Sequence, residues 1–542
     1  VQTVLQARPF AHAAELRKYQ ALAVLGQSVG EQAEAVPITV ASEDQVSTAG
    51  VTQAACTRCG NCFTGCNVGA KNTTLTHVLP DAVRAGAELI TGLTVLDIRP
   101  CEGTDAQADD GGPPYRWRVR MAMTADLSST GERQVMEVRA RTVVLSAGAL
   151  GSTEILQRSR ALKLSPLLGQ RFSTNGDVLA LGWGMGARVN GMARADEAEQ
   201  PPAERVGPTI TGRLAPSLPV AGQQRRVLVE EGAVPSALTR AVVALGATLS
   251  LPHRYSRSGL QGYHASRQAA GVPSDPLSTP PDMDRHALLM LVMGPDDADG
   301  SIRFTPGQPA ASGAARRDAL DISWSGPHSG PRSAYYQAVH DWLNKARDRG
   351  GFQGGDYLPS PLWKPLPDDF EGVAAGVDKP LGLTVHPLGG CPMGDGPDSG
   401  VVNWQGTVFR ADGSPGNPLY EGLHVLDGGM LPTAVGVNPF VTIAGLSLVA
   451  ARAICEQMDA EDAAHARPVP GPVLPLSAPA PVAQASVAKP PAAAEQPVRL
   501  QFREHLQGHW QTERPDWAPA ANPQWTDDER TREWVEIGRA HV

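Results

Sequence analysis

Apolar and polar residues alternate over 88–99, over 115–123 and over 135–144, which predicts a β-meander with an Asp- and Gly-rich loop over 102–114. The meander returns to the apolar run Val143-Val144-Leu145. A helix is expected over 153–159, with Ser152 as N-cap and Glu154 in its first turn. Segments 178–186, 225–230, 286–293 and 319–324 read as strands of one open sheet, and the glycines Gly182, Gly184 and Gly186 as close-packed positions inside it. Over 334–349, Tyr335, Val339, Trp342 and Ala346 recur at helical spacing and are assigned to a core. A short helix is expected over 81–87, and mixed helix and loop over 1–53. Residues 467–497 are dominated by Pro and Ala, the composition of an extended linker, and 498–508 alternate like a strand entering a further module.

Chemistry enters with two blocks near the end of the patterned region. The first is His386-Pro387-Leu388-Gly389-Gly390-Cys391; the second is Gly436-Val437-Asn438-Pro439-Phe440. Between them Leu423 to Gly429 reads as a strand ending in Asp427-Gly428. Removing hydride from an alcohol carbon requires a group to take the hydroxyl proton, and imidazole titrates in the right range. His386 is the candidate. An amide can hold an oxygen without adding charge, and Asn438 at a helix start, followed by Pro439 in the first turn, is placed to do so. The plain alternative for each residue alone is a bracing histidine and a helix cap.

In this order the blocks resemble the glucose-methanol-choline (GMC) flavoprotein oxidoreductases, and among them the cholesterol oxidase-like branch. Val143 to Ser152, ending in "AGALGS", is similar to the family's strand and turn near the flavin, and the likeness runs from about Ala54 to Ile454. It implies an α/β (α+β) fold: a truncated, doubly wound FAD-binding domain with an antiparallel-sheet substrate domain, and here a Pro/Ala-rich C-terminal extension. It implies FAD as cofactor, contacted by Gly148, Ala149, Asp427, Gly428, Asn438 and Pro439, and catalysis by His386 and Asn438. Val227 to Pro235 is similar to the strand bearing an active-site carboxylate in cholesterol oxidases; Glu230 matches by frame, and Glu231 would face the other side of a strand. A surface acid beside a turn is the competing reading of Glu230. The implied substrate is an alcohol, a sterol or another bulky apolar one, with oxygen or another acceptor taking the electrons.

One motif stands apart from that likeness. Cys56, Cys59, Cys62 and Cys66 have the CxxCxxCxxxC spacing of iron-sulfur loops. Asn67 stands where the ferredoxin pattern has Pro, and only one such run exists, so all four thiolates would serve one cluster. The segment also resembles the cysteine-rich "GAKNT" region of the GMC branch, in which the thiols need hold no metal. An iron-sulfur cluster, zinc and metal-free packed thiols are the three readings, and an iron-sulfur electron-transfer protein is the alternative to the flavin enzyme.

The domains expected are a remnant of the FAD-binding domain over 1–170, a substrate domain over 171–375, and the C-terminal part of the FAD domain with the active site over 376–460. They are followed by a linker over 466–497, the start of an accessory segment over 498–535, and a probable sequencing-adapter translation over 536–542. A net charge of −9 argues against nucleic acid as a partner. No run of 18 apolar residues occurs, so no membrane span is expected. Seven cysteines, four of them in one cluster, are unlike a disulfide framework and favour a reducing, cytoplasmic setting.

No GxGxxG turn occurs in the sequence, and Gly182 to Gly186 imitates only part of it. The expectation is an incomplete chain, inactive alone, that lacks the pyrophosphate half-site and binds flavin weakly. Purified on its own it should be colourless; stoichiometric flavin absorbance in the preparation would refute the truncation.

Overall fold

The computed structural model describes residues 5–107, 112–125, 135–255, 282–307, 318–364, 382–412 and 418–465. Residues 1–466 form one compact unit. The linker, accessory and adapter readings over 467–542 lie outside the described residues.

The longest apolar run, Ala287–Met293, is a strand buried on both faces near the middle of a six-stranded antiparallel sheet. Its neighbours are Val178–Trp183 and Leu228–Glu231; the sheet continues outward to Asp356–Pro359 on one side and to Gly212–Leu214 and Glu34–Ala35 on the other. Alternation sorts the side chains. Val178 and Ala180 pack with Leu22 and Leu25 of the Arg17–Val29 helix and with Tyr335, Val339 and Ala346 of the Ala334–Asp348 helix, while Leu181 and Trp183 turn to the Ser236–Tyr255 helix. Gly182 is required here, since a Cβ would lie 2.8 Å from the Phe352 ring.

A second core lies under a meander of Leu93–Pro100, Trp117–Met123 and Val135–Ala140. Beside it a mixed sheet joins Thr407–Phe409, Leu419–Val425 and Val143–Leu145, the last two parallel. Two helices follow these strands, Gly148–Arg158 and Phe440–His465. Ala450 and Ile454 of the latter are buried in this core, and its Glu461 and Asp462 pair with Arg116 and Arg141 of the meander. By length and a mean hydropathy of 1.3 this helix is also long and apolar enough to cross a membrane, although no uninterrupted apolar run marks it. Only Ala450 and Ile454 of this helix are buried, and Val441, Leu448 and Val449 are exposed.

Several sequence expectations need correction. Strand pairing over 88–92 does not form: Gly92 at φ 76° breaks the run and leaves Leu89 and Ile90 exposed. Residues 319–324 pair with Gly300–Thr305 as a separate hairpin, because their polar, half-exposed residues have no apolar face to offer the large sheet. The helix expected from 153 begins at Gly148, so Ser152 lies inside it; its hydroxyl accepts from the Ala147 N–H at 3.1 Å instead of capping the first turn as predicted. The helix placed over 81–87 occupies Val78–Arg84.

Candidate active site

One short segment, residues 173–177, leads into the strand Val178–Trp183 and carries the site. Asn175 and Gly176 take consecutive left-handed conformations, φ 55° and 63°, a turn suited to Asn-Gly. Only glycine fits second, since a Cβ on Gly176 would lie 2.4 Å from the Gly294 carbonyl oxygen. The Asn175 side chain then reaches across the chain. Its Oδ1 accepts from the N–H groups of Val435 and Gly436 at 3.0 and 2.9 Å, and its Nδ2 donates to the Val437 carbonyl at 2.9 Å. Three backbone groups of the 435–437 turn are thus held by one amide, and Asn438 is delivered at a fixed place.

Asp177, two residues on, does the same for the other block. Its Oδ2 accepts from the Val385 N–H at 2.8 Å and the Thr384 hydroxyl at 3.0 Å, and its Oδ1 lies 2.9 Å from His386 Nδ1. The Thr384 oxygen in turn accepts from the His386 N–H at 2.8 Å. An ionised carboxylate only accepts, so Nδ1 carries a proton, and in the neutral imidazole Nε2 then has the lone pair. His386 is 6% exposed. Leu388 pairs with Ser173 through two backbone hydrogen bonds, 3.0 and 3.1 Å, closing the turn onto the same segment.

Glu230 meets the second block. It lies on the strand Leu228–Glu231, is 2% exposed, and accepts a hydrogen bond from Asn438 Nδ2 at 3.2 Å. Burial pushes its carboxyl up to about 7; the Asn438 bond and the positive charge of a nearby protonated His386 pull the other way, and Glu231 pushes up again. Glu231 faces the opposite side, as strand geometry demands. It is fully buried against Lys18 Nζ at 2.8 Å and accepts from the Thr211 N–H at 2.9 Å and from the Thr211 hydroxyl. The surface reading of Glu230 therefore fails, and adjacent acids serve two different environments.

Other predicted residues have mainly bracing roles in this protein. Asp427 is buried: Oδ1 accepts from the Gly429 N–H at 2.7 Å and Oδ2 from the Ser152 hydroxyl at 2.5 Å, tying the 428–430 turn to the Gly148–Arg158 helix. Gly428 accepts from the Gly389 N–H at 3.0 Å. A Cβ on Gly389 would lie 1.9 Å from the Arg171 carbonyl oxygen, so close packing explains this glycine. Ala149 is buried, and Gly148 opens at φ 77° onto free space. Pro439 is buried and the half-buried Asn438 precedes the helix Phe440–His465, whose first N–H groups have no acceptor within the helix. Sequence reasoning missed Asn175 and Asp177; the Asn-Gly pair signals a turn, but nothing local signals what either side chain grips.

Cys56, Cys59, Cys62 and Cys66 are all free thiols, and all four line one cavity away from these residues. Burial pushes Cys56 up to about 12 and raises Cys62. Among the described residues no three His, Cys, Asp or Glu side chains are grouped as ligands of a metal, so neither the iron-sulfur nor the zinc reading of these cysteines is supported.

Two family models match the chain, the N-terminal and C-terminal parts of GMC oxidoreductase, over residues 41–175 and 332–447. Over these two stretches the chain is similar to the GMC oxidoreductase family. Asn175 is the last residue of the first match, Asp177 lies two residues beyond it, and His386 and Asn438 fall within the second. A cholesterol oxidase of Acinetobacter baumannii is 25% identical over 422 residues, 72% of this chain and 60% of that protein. One of Mycobacterium tuberculosis is 26% identical over 421 residues, 73% of this chain and 58% of that protein. The chain thus spans less than two thirds of the length of these relatives. Among solved structures, an FAD-dependent oxidoreductase from Chaetomium thermophilum is 16% identical, with a TM-score of 0.44, covering 83% of this chain and 73% of that one.

A carboxyl raised by burial favours the protonated form in the folded state. Its contribution to stability is complete below the ordinary value of 4.5 and is lost as pH rises through about 7. Glu230→Gln should accordingly match the parent's stability near about pH 4 and exceed it above about pH 8 by up to about 3 kcal/mol, melting at a higher temperature there. Thermal melts across that range check this, and parallel profiles for the two proteins would show that Glu230 ionises without cost.

Proposed function

We propose that this chain forms the substrate-oxidising part of an FAD-dependent enzyme that converts an alcohol CH–OH to C=O. The carrying observation is the buried His386, held through Nδ1 by Asp177 with Nε2 free, in electrostatic reach of a Glu230 bonded to Asn438. When bound, the flavin supplies the acceptor for the hydride. The chain's residues do the rest. His386 Nε2 takes the hydroxyl proton as the C–H bond breaks, and the imidazolium that forms is stabilised by Asp177. Asn438 fixes the alcohol oxygen or the flavin edge with a neutral amide. Glu230, near neutrality, holds or releases a proton beside it.

The fit to a flavin rests on the reacting end of the site. Unpaired N–H groups at the start of the 440–465 helix lie next to Asn438 and Pro439 and favour negative charge on a reduced ring. Gly148 faces open space where a Cβ would meet nothing within 4 Å. Gly148, Ala149, Asp427, Gly428, Asn438 and Pro439 would hold the ring and ribityl side; the chain has no GxGxxG turn for the pyrophosphate. The cholesterol oxidase relatives support a bulky apolar alcohol, a sterol included, with oxygen or another acceptor reoxidising the flavin.

His386→Asn in the flavin-loaded protein should slow alcohol-dependent bleaching of the flavin ~100- to 10,000-fold with flavin content unchanged. Stopped-flow absorbance with a panel of alcohols measures it. A variant that reduces its flavin at the parent's rate would remove His386 as the base.

A further inference from the structure

The turn that carries Asn175 and Asp177 is itself held, by an acid that the alcohol chemistry does not use. The strand Ala287–Met293 ends in the middle of the large sheet, and Gly294-Pro295-Asp296 follow it directly. Asp296 accepts five hydrogen bonds. Its Oδ1 takes the Ser173 hydroxyl at 2.7 Å and the Ala298 N–H at 3.0 Å. Its Oδ2 takes the Thr174 N–H and the Thr174 hydroxyl, both at 2.9 Å, and the Gly176 N–H at 3.2 Å. The backbone adds to this grip, since Gly294 N–H donates to the Asn175 carbonyl at 3.1 Å.

The other side of the turn rests on the Ala334–Asp348 helix. Tyr335 and Tyr336 are buried there, and the Tyr335 hydroxyl donates to the Gly176 carbonyl at 2.9 Å. Thr174 has one hydroxyl proton, and it goes to Asp296. Its 2.5 Å contact with the Tyr336 hydroxyl is therefore a bond donated by Tyr336, which continues through Thr174 to the carboxylate.

Five donors around one side chain call for a group that only accepts. An amide of the same shape does not qualify. With its NH2 at the Oδ2 position it would face the N–H groups of Thr174 and Gly176; turned over, it would face the Ala298 N–H. Backbone donors cannot rotate away, so in either orientation a donor meets a donor.

We propose that Asp296 is a positioning residue of the candidate site. By fixing the 173–176 turn it sets where Asn175 and Asp177 present their side chains, and hence the places of Asn438 and His386. It acts through the turn. Its effect on turnover rests on the alcohol-oxidation reading; its effect on geometry does not.

Amide hydrogen exchange of the chain without flavin tests the geometry. In Asp296→Asn the amides of Val385, His386, Val435 and Gly436 should exchange about ten-fold faster, while those of 287–293 keep the parent's protection. Asp297→Asn, which removes the exposed neighbour's pair with Arg225, should leave all of them unchanged. Should Asp296→Asn not fold, Ser173→Ala, which takes away one of the five bonds, is read in the same way. Parent-like protection at 385–386 and 435–436 would overturn the proposal. So would an equally large loss over 287–293, the mark of general destabilisation. In the flavin-loaded protein Asp296→Asn should lower the limiting rate of alcohol-dependent flavin reduction ~100-fold, with half-saturation at the parent's alcohol concentration. A parent-like rate would also overturn it. A parent protein whose flavin no alcohol reduces would instead sink the alcohol reading and leave the exchange result standing.

Discussion

Two side chains two residues apart hold the candidate site together. Asn175 clamps the turn before Asn438, and Asp177 clamps the turn that ends in His386. Each accepts N–H groups that would otherwise be buried without partners, at about 1–3 kcal/mol apiece. Two segments far apart in the chain, 384–386 and 435–437, are thereby fastened to one tight turn. That turn rests on the six-stranded sheet, because Val178 follows immediately as the first residue of an interior strand. The precision of the site is therefore inherited from a fully packed sheet and not from the loops that bear its residues.

The same sheet explains why neighbouring acids differ. Glu230 and Glu231 leave one strand on opposite faces. Glu231 meets Lys18 and Thr211, which satisfy a buried charge. Glu230 meets an amide and little else, so desolvation dominates and its carboxyl titrates near neutrality. Perturbed carboxyls with few compensating partners cluster where chemistry is done. The Thr209 to Thr211 stretch links both regions: Thr209 faces Cys62 and its carbonyl accepts from Lys18 at 3.3 Å, while Thr211 binds Glu231.

Much of this was legible in the chain itself. The run Ala287–Met293 could be nothing but a buried strand, and Tyr335, Val339 and Ala346 announced a core helix, because burial imposes its period on the sequence directly. His386, Asn438 and the four-cysteine spacing could be singled out because their chemistry depends on residue type and local frame. Helix Gly148–Arg158 started earlier than its capping signal, and the run over 88–92 failed as a strand, because local pattern does not say where a neighbouring segment will offer partners.

What the sequence determined by itself was the inventory: a periodic code for two cores and a set of side chains able to move a proton, donate an amide hydrogen bond and present thiols. Which of those side chains would meet was decided only in three dimensions. Asn175 and Asp177 look like ordinary turn residues until the chain has folded 435–437 and 384–386 against them, and Glu230 becomes different from Glu231 only when the sheet gives one face a lysine and the other an amide. Hydrogen-bond partners and dielectric surroundings are properties of contact between distant segments, and no local window of residues contains them.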